Sequence, residues 1–333
     1  MKNPSEVNEI PMKTGLCKVS VCVITYNHEL YITQCLQSIV GQQCSFDFEV
    51  IVRDDCSQDG TLEIIRDFQV RYPKIVKLLD ASKNIGANKN ILAVFSAAKG
   101  EYLALCEGDD YWLDNKKLSK QLAIMVSQPQ LTFTAHPCWT HDKEGLKTTA
   151  YIKSSDNLKI TCKDVLAVSG QFAPTASYMF RRELHGCLPS WFADAPVGDF
   201  FIEMYAIAMG RGLYLPEPMS VYRTFSANSW TTSNNEKQSS NLVRFSREMV
   251  DCLMSMQIDN KFSGLDFSRK LAASHFNVAT GSLLIKDFIS FKEAIIKCRT
   301  NFPKLSLTQT VFFHLKHLPL LAYFLFKIKR RAY

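Results

Sequence analysis

Several familiar signals are missing from this 333-residue sequence. Its first residues, MKNPSEVNEIPMKTG, hold no apolar run that could serve as a secretory leader. Its eleven cysteines form no C-x-x-C pair and their number is odd, while Cys22, Cys35 and Cys106 lie inside apolar stretches. That usage argues against a disulfide framework and for free thiols in a reducing compartment, so a cytoplasmic protein is expected. Neither G-x-G-x-x-G nor G-x-x-x-x-G-K-[ST] occurs, which weakens the ordinary dinucleotide and P-loop readings. His314 and His317 stand at helical spacing, but with no third ligand nearby they predict no metal site. The net charge of +7 is moderate and spread along most of the chain, so it allows an anionic ligand or surface without arguing for nucleic acid.

What is present begins with a repeating plan. Val19-Ser20-Val21-Cys22-Val23-Ile24 reads as a strand, followed by Thr25-Tyr26-Asn27 and then by Ile32, Cys35, Leu36 and Ile39 at helical spacing. A second strand, Phe48 to Arg53, runs into Asp54-Asp55-Cys56-Ser57-Gln58-Asp59-Gly60, after which Ile64, Ile65 and Phe68 mark a second helix. A shorter strand near Ile75 to Leu79 leads to Asn84-Ile85-Gly86 and a helix on Ile91, Val94, Phe95 and Ala98. The strand at 102–106 ends in CEGDDYW. Alternation of this kind predicts βαβ units and a largely parallel sheet covered on both faces, with ligands bound at the carboxyl ends of the strands. Four polar clusters distant in sequence, at Tyr26-Asn27, Asp54-Asp55, Asn84-Gly86 and Glu107-Asp109, should therefore meet along one edge.

Part of this polarity has a structural reading. Ser57 or Asp59 is suited to cap the helix that begins near Thr61, and Asp110 to cap the segment from Trp112 to Leu118. The run from Asp55 also mimics a calcium loop, yet Arg66 stands where that loop needs its twelfth-position carboxylate. The crowding of Glu107, Asp109 and Asp110 asks for something more, because like charges this close resist burial without a positive partner. A hard divalent cation, Mn2+ or Mg2+, suits such a place, taking one or two protein oxygens and the rest from water and a ligand's phosphates. Asp55 can accept a hydrogen bond from a base N–H, and Tyr26 offers an aromatic face. The ligand these residues predict is a nucleotide diphosphate that carries a group to be transferred.

The series VSVCVITYN, FEVIVRDDCSQDGT, NIGANKN and GEYLALCEGDDYW closely resembles glycosyltransferase family 2, nucleotide-sugar-dependent enzymes with the GT-A fold; the motifs stand in family order and spacing across residues 18–112. The resemblance implies that Thr25, Tyr26 and Asn27 form the first nucleotide-contacting turn, with Asp54, Asn84, Gly86 and Gly108 also on the donor side. Asp55 matches the aspartate that binds the base. Glu107-Gly108-Asp109 occupies the Asp-x-Asp position, Asp109 matching the metal-binding residue and Glu107 departing from the usual first aspartate. It further implies that Asp199, before an apolar helix (Phe200, Ile202, Tyr205, Ala206, Met209), is the catalytic base of an inverting transfer, against the plainer reading of a helix-capping aspartate.

Other positions carry weaker expectations. APTASYMFRR, residues 173–182, looks like a further core strand of the family, and residues 210–215 and 221–223 like its closing strands. Arg223 would approach the diphosphate or acceptor, or else form a surface salt bridge; Trp191 and Trp230 would stack on sugars or pack in the core. These readings divide the chain into an N-terminal extension (1–17), a nucleotide-sugar-binding half (18–115), an acceptor half (116–233) and a helical extension (234–333). Residues 305–333 contain five Lys or Arg and no acid, and their longest uncharged apolar run, Leu318 to Phe326, is far short of a membrane span. They fit either an interfacial helix on an anionic membrane surface, at the inner face of the cell membrane, or a helix packed on the catalytic domain. The expected activity is transfer of a hexosyl or N-acetylhexosaminyl group, most readily from a UDP-sugar, to a hydroxyl of a glycan or lipid-linked glycan, as in polysaccharide biosynthesis. The rivals are a nucleotidyltransferase, for which TYNHELY lacks the Gly-rich basic loop, and a non-catalytic binding module on the same fold.

Overall fold

The computed structural model describes residues 17–142, 145–149, 154–168, 170–224 and 239–331. Its first part follows the sequence plan: β1 (Val19–Thr25), α1 (Ile32–Val40), β2 (Phe48–Asp54), α2 (Thr61–Arg71), β3 (Val76–Leu79), α3 (Ala87–Ala97) and β4 (Tyr102–Glu107). Strands β1, β2, β3 and β4 are mutually parallel where they pair. Val19, Val21 and Val23 pack with Ile32, Cys35 and Ile39 of α1 and with Ile65 and Phe68 of α2 on one face. Cys22, Ile51, Leu103 and Leu105 pack with Ile91, Val94 and Phe95 of α3 on the other. The period-two alternation of a strand and the 3.6-residue period of a helix thus deliver one sheet clad on both sides.

Next come β5 (Tyr111–Trp112), α4 (Lys117–Ser127), β6 (Leu131–Ala135), β7 (Cys138–Asp142), β8 (Gly145–Thr149), β9 (Leu158–Ile160), α5 (Cys162–Ala167), β10 (Met179–Arg181) and α6 (Leu184–Cys187). They are followed by α7 (Asp199–Ala208), β11 (Arg211–Tyr214) and β12 (Ser220–Arg223). Among the described residues the main sheet has eight strands in the order β3-β2-β1-β4-β10-β6-β11-β9. Within it β10 runs antiparallel to both β4 and β6, and β9 antiparallel to β11. Two expectations change in detail. Only three residues of 173–182 form strand, after a 3-10 turn at Thr175–Ser177. Val221 to Arg223 belong to a second, four-stranded sheet, β5-β12-β7-β8, that folds over the polar edge.

Helices α8 (Ser239–Gln257), α9 (Ser268–Leu284), α10 (Phe288–Asn301), α11 (Leu307–His314) and α12 (Pro319–Arg331) complete the fold. Leu253, Met256, Phe262, Phe267 and Leu271 join the core on the α3 face of the sheet. A separate core unites Ala279, Leu283, Phe291, Ile295, Phe312 and Ala322 within the helical region itself. No helix among the described residues is long and apolar enough to cross a membrane, and all eleven cysteines are free thiols.

At the turn into β4 the chain passes so near β1 that a Cβ on Gly100 would lie 2.4 Å from the Ser20 amide nitrogen and 2.7 Å from the Val19 carbonyl carbon. Backbone cannot step aside as a side chain can. Gly100→Ala is expected to cost about 1–3 kcal/mol of stability, read as an earlier midpoint in urea unfolding; an unshifted midpoint would contradict this packing.

Candidate functional site

The register of the sheet places the predicted clusters together. Thr25 pairs with Asp54 and Ile24 with Glu107, so β2 and β4 end on either side of β1. With neighbouring strands about 5 Å apart, the ends carrying Asp54 and Glu107 are roughly 10 Å apart. The turns after β1 and β2 are clasped. Ser57 Oγ accepts from the Asn27 N–H and Asn27 Oδ1 from the Gln58 N–H, each at 2.8 Å. Thr61 Oγ1 accepts from the His28 N–H, and Glu29 and Asp59 each accept a backbone N–H from the other's turn or its neighbour. Asn27 and Cys56 both sit at positive φ, 55° and 63°, a region non-glycine residues occupy mainly where surrounding contacts hold them.

The two aspartates of the β2 end face inward. Asp54 accepts from both the Ser57 N–H (2.8 Å) and the Ser57 hydroxyl, closing the turn. Ser57 is thus a clasp and not a helix cap, while Asp59 does accept the Thr61 N–H at 3.0 Å at the start of α2. Asp55 is buried; its Oδ1 accepts from the Ile85 N–H at 2.9 Å and its Oδ2 from the Gly86 N–H at 2.8 Å. Buried Arg53 completes the arrangement, donating to Asp55 Oδ1 at 2.9 Å and to Asn90 Oδ1 at 3.0 Å. Asp55 therefore positions the Asn84–Gly86 turn, where Asn84 Oδ1 also accepts from the Gly86 N–H at 3.2 Å. The Tyr26 ring is exposed on the adjoining turn.

On the β4 side the chain is tightly packed. A Cβ on Gly108 would lie 2.5 Å from Thr25 Oγ1 and 2.9 Å from His28 Nδ1, so only glycine allows this approach. Thr25 Oγ1 and His28 Nδ1 are 3.1 Å apart, and His28 Nε2 stands 3.9 Å from Asp109 Oδ2. Arg223 arrives from β12: its guanidinium lies 4.5 Å from the Tyr111 ring centre and 5.1 Å from that of Tyr31, and it donates to the Asp109 carbonyl and to Gln34 Oε1. Arg223 is buried; it grips the backbone of the loop after β4 and is not a surface salt bridge. Asp110 accepts from the Arg223 N–H at 3.1 Å. Asp110 does not cap α4, whose start has no side-chain cap; Asp114 closes the turn before it by accepting the Lys116 N–H at 2.7 Å. Burial, then repulsion from Asp109 and Asp199, pushes the Glu107 carboxyl up to about 8.

That last repulsion brings the acceptor half to the same place. Asp199 is the first residue of α7, not its cap, and accepts the Phe200 N–H at 2.6 Å. Burial pushes its carboxyl upward, opposed by that N–H and by Lys270. Asn88 of α3 holds the preceding loop, donating to the carbonyls of Phe192 (3.1 Å) and Ala195 (2.8 Å). One turn along α7, Glu203 is fully buried and accepts from the Tyr178 hydroxyl (2.6 Å) and the Ala173 N–H (3.0 Å). Lys270 of α9 donates to the Val168 carbonyl at 2.7 Å and the Gly170 carbonyl at 3.2 Å, and its charge acts on both Asp199 and Glu203. Burial pushes Lys270 down to about 8.

Sequence reasoning missed His28, Asn88 and Lys270. His28 follows Asn27 directly and shared its signal; Asn88 and Lys270 matter only through contacts far along the chain. Trp191 packs edge-on against Phe201 (ring centres 4.9 Å apart) and Tyr205 (6.4 Å), the core option of the two weighed for it. Trp230 lies outside the described residues.

The model of the family described as glycosyl transferase family 2 matches residues 20–188, half of the chain. The chain belongs to glycosyltransferase family 2. A Mycobacterium tuberculosis protein of uncharacterised function is 35% identical over 224 residues, which is 66% of this chain and 62% of that protein; the chain thus spans less than two thirds of that relative. Staphylococcus aureus TarS, a poly(ribitol-phosphate) β-N-acetylglucosaminyltransferase, is 35% identical over 114 residues, 34% of this chain and 19% of TarS. In structure, TarS residues 1–349 in complex with UDP-GlcNAc match 95% of this chain and 92% of that one, with a TM-score of 0.66 at 20% identity. A Pyrobaculum calidifontis mannosyltransferase with GDP-mannose and Mn2+ matches 95% of this chain and 90% of that one, with a TM-score of 0.54 at 17% identity. These likenesses establish the GT-A fold expected of this family 2 chain.

Among the described residues, no three histidine, cysteine or acidic side chains converge as a complete metal cage. The site fits the other way of holding a hard divalent cation, by few protein ligands with phosphate and water. Asp109 and Asp199 both act on buried Glu107, and the 3.9 Å between His28 Nε2 and Asp109 Oδ2 allows both atoms to reach one ion.

Glu203 offers a test of this electrostatic picture. Burial pushes its carboxyl from 4.5 up to about 8 despite the Tyr178 bond. Between those values the folded state holds a proton that the unfolded chain releases, so stability falls as pH rises through the window. Glu203→Gln keeps an acceptor for Tyr178 and cannot ionise; its melting temperature should decline less than that of wild type between about pH 5 and 8. Equal slopes would show that Glu203 is not held protonated.

Proposed function

We propose that this family 2 chain transfers a sugar, hexosyl or N-acetylhexosaminyl, from a UDP-sugar to a hydroxyl of a glycan or lipid-linked glycan, with inversion at the anomeric carbon. The observation that carries this reading is that Asp199, a buried carboxyl at the start of α7, lies near enough to act on Glu107 at the end of β4, so that an acid of one half faces the acidic strand end of the other. UDP as the nucleotide is supported by the likeness to TarS with UDP-GlcNAc bound.

Asp109, Glu107 and His28 would hold Mn2+ or Mg2+, and the ion when bound would neutralise charge on the donor's diphosphate. Thr25, Tyr26, Asn27 and the Asn84–Gly86 turn would receive the nucleoside, with Asp54 and Asp55 fixing the two turns from beneath and Gly108 letting the β4 end close on Thr25. Asp199 would accept the acceptor hydroxyl's proton as its oxygen attacks the anomeric carbon and the bond to the diphosphate breaks, through an oxocarbenium-like transition state. Burial favours that role, because a carboxylate raised above its ordinary range is a better base. Arg223, through the Asp109 carbonyl, would keep the metal loop in place.

Asp199→Asn should bind UDP-sugar like wild type and lose transfer by roughly 10²- to 10⁴-fold. Transfer at wild-type rate would assign the base elsewhere. His28→Ala should weaken Mn2+ binding in the presence of UDP by about tenfold or more, read as free Mn2+ by electron paramagnetic resonance. An unchanged titration would confine His28 to packing against Thr25 and Gly108.

A further inference from the structure

The sequence left two readings open for residues 305–333, and the structure gives the segment two faces. On α12, Ala322 is fully buried and Tyr323 and Phe326 lean on the helical core, with the Phe326 and Phe312 rings 5.6 Å apart. The other side is apolar and open. Leu320, Leu321, Phe324, Leu325 and Ile328 are each between 43% and 66% exposed. At 100° per residue these five positions share one arc of about 140°, on a helix about 20 Å long. Leu318, just before the helix, is 58% exposed as well. A continuous apolar stripe of this kind is uncommon on a monomer's surface unless something covers it.

Charge narrows what that is. Residues 305–333 hold Lys316, Lys327, Lys329, Arg330 and Arg331 and no acid, and the Lys327 side chain is exposed beside the stripe. A second copy of the same segment would bring like charge toward like charge, with no acid in residues 305–333 to offset it. An anionic surface is complementary to them, and one that also accepts a shallow row of Leu, Phe and Ile is a lipid bilayer with acidic headgroups.

We propose that the outer face of α12 docks this chain on an anionic membrane, with the helix lying in the headgroup region and its inner face kept on the protein. If the transfer reading holds, docking would place the enzyme on the surface that carries a lipid-linked acceptor. The full chain should float with vesicles of phosphatidylcholine and phosphatidylglycerol, much less with phosphatidylcholine alone, and progressively less as NaCl is raised. The double variant Leu321→Glu with Phe324→Glu changes only exposed positions. It should keep the wild-type melting temperature and UDP binding while its vesicle partitioning falls about tenfold or more. Wild-type protein that stays at the bottom with both vesicles, or a variant that floats as well as wild type, would overturn the proposal. So would light scattering that shows a wild-type dimer split by the variant, since the face would then belong to a second copy. No sugar donor or acceptor enters the flotation, so its failure would leave the transfer reading standing.

Discussion

Asp109 and Asp199 are both held near Glu107 against the repulsion they exert on it, and much of the surrounding polar structure does the holding. Glu107 is fixed by β-sheet register to the end of β4. Asp109 is fixed through its backbone, by the Arg223 guanidinium that donates to its carbonyl. Asp199 is fixed by its place at the first turn of α7 and by the loop that Asn88 secures. The result is a crowd of acidic side chains at a sheet edge, with burial and repulsion holding Glu107 toward its neutral form; a divalent cation would relieve that repulsion and bind with few protein ligands.

Two buried polar clusters flank this edge and differ in character. Around Asp55 the charges balance: Arg53 supplies a cation at 2.9 Å, and two backbone N–H groups fill the other directions. Such an arrangement fixes geometry, since removal of any member strands a buried charge. Around Glu203 the balance is incomplete. One carboxylate oxygen has no hydrogen-bond partner, and burial favours the neutral acid. Lys270 moderates both Glu203 and Asp199 from a helix outside the main sheet. The helical region therefore acts on the electrostatics of the acceptor side besides covering apolar surface.

Much of the first hundred residues could be read from pattern. Apolar runs at period two located β1 to β4 within a residue, and helical stripes at period 3.6 located α1 to α3, though the polar first turn of α3, Ala87 to Asn90, lay outside the stripe, because local sterics and burial on both faces dictate the apolar positions. The polar strand ends could be read for the same reason, since parallel strands bring their carboxyl ends to one edge. The roles within those ends were less legible. Asp54, Asp55 and Ser57 look alike as turn-forming polar residues, yet Asp54 closes its own turn, Asp55 holds another turn thirty residues on, and Ser57 bridges back to Asn27. Of the two expectations for Arg223, the surface salt bridge fails, because β12 pairs with β5 and buries the side chain against the loop after β4.

The sequence by itself determined the alternating units, the polar edge of the sheet, and the acidic residues gathered there. These follow from local periodicity and from the direction of parallel strands. Only the tertiary structure decided which acids are balanced and which repel, that Asp199 stands against Glu107, that Lys270 reaches them from a distant helix, and which face of α12 stays open. Charge balance and exposure depend on distances between residues far apart in the chain, and periodicity carries no measure of those distances.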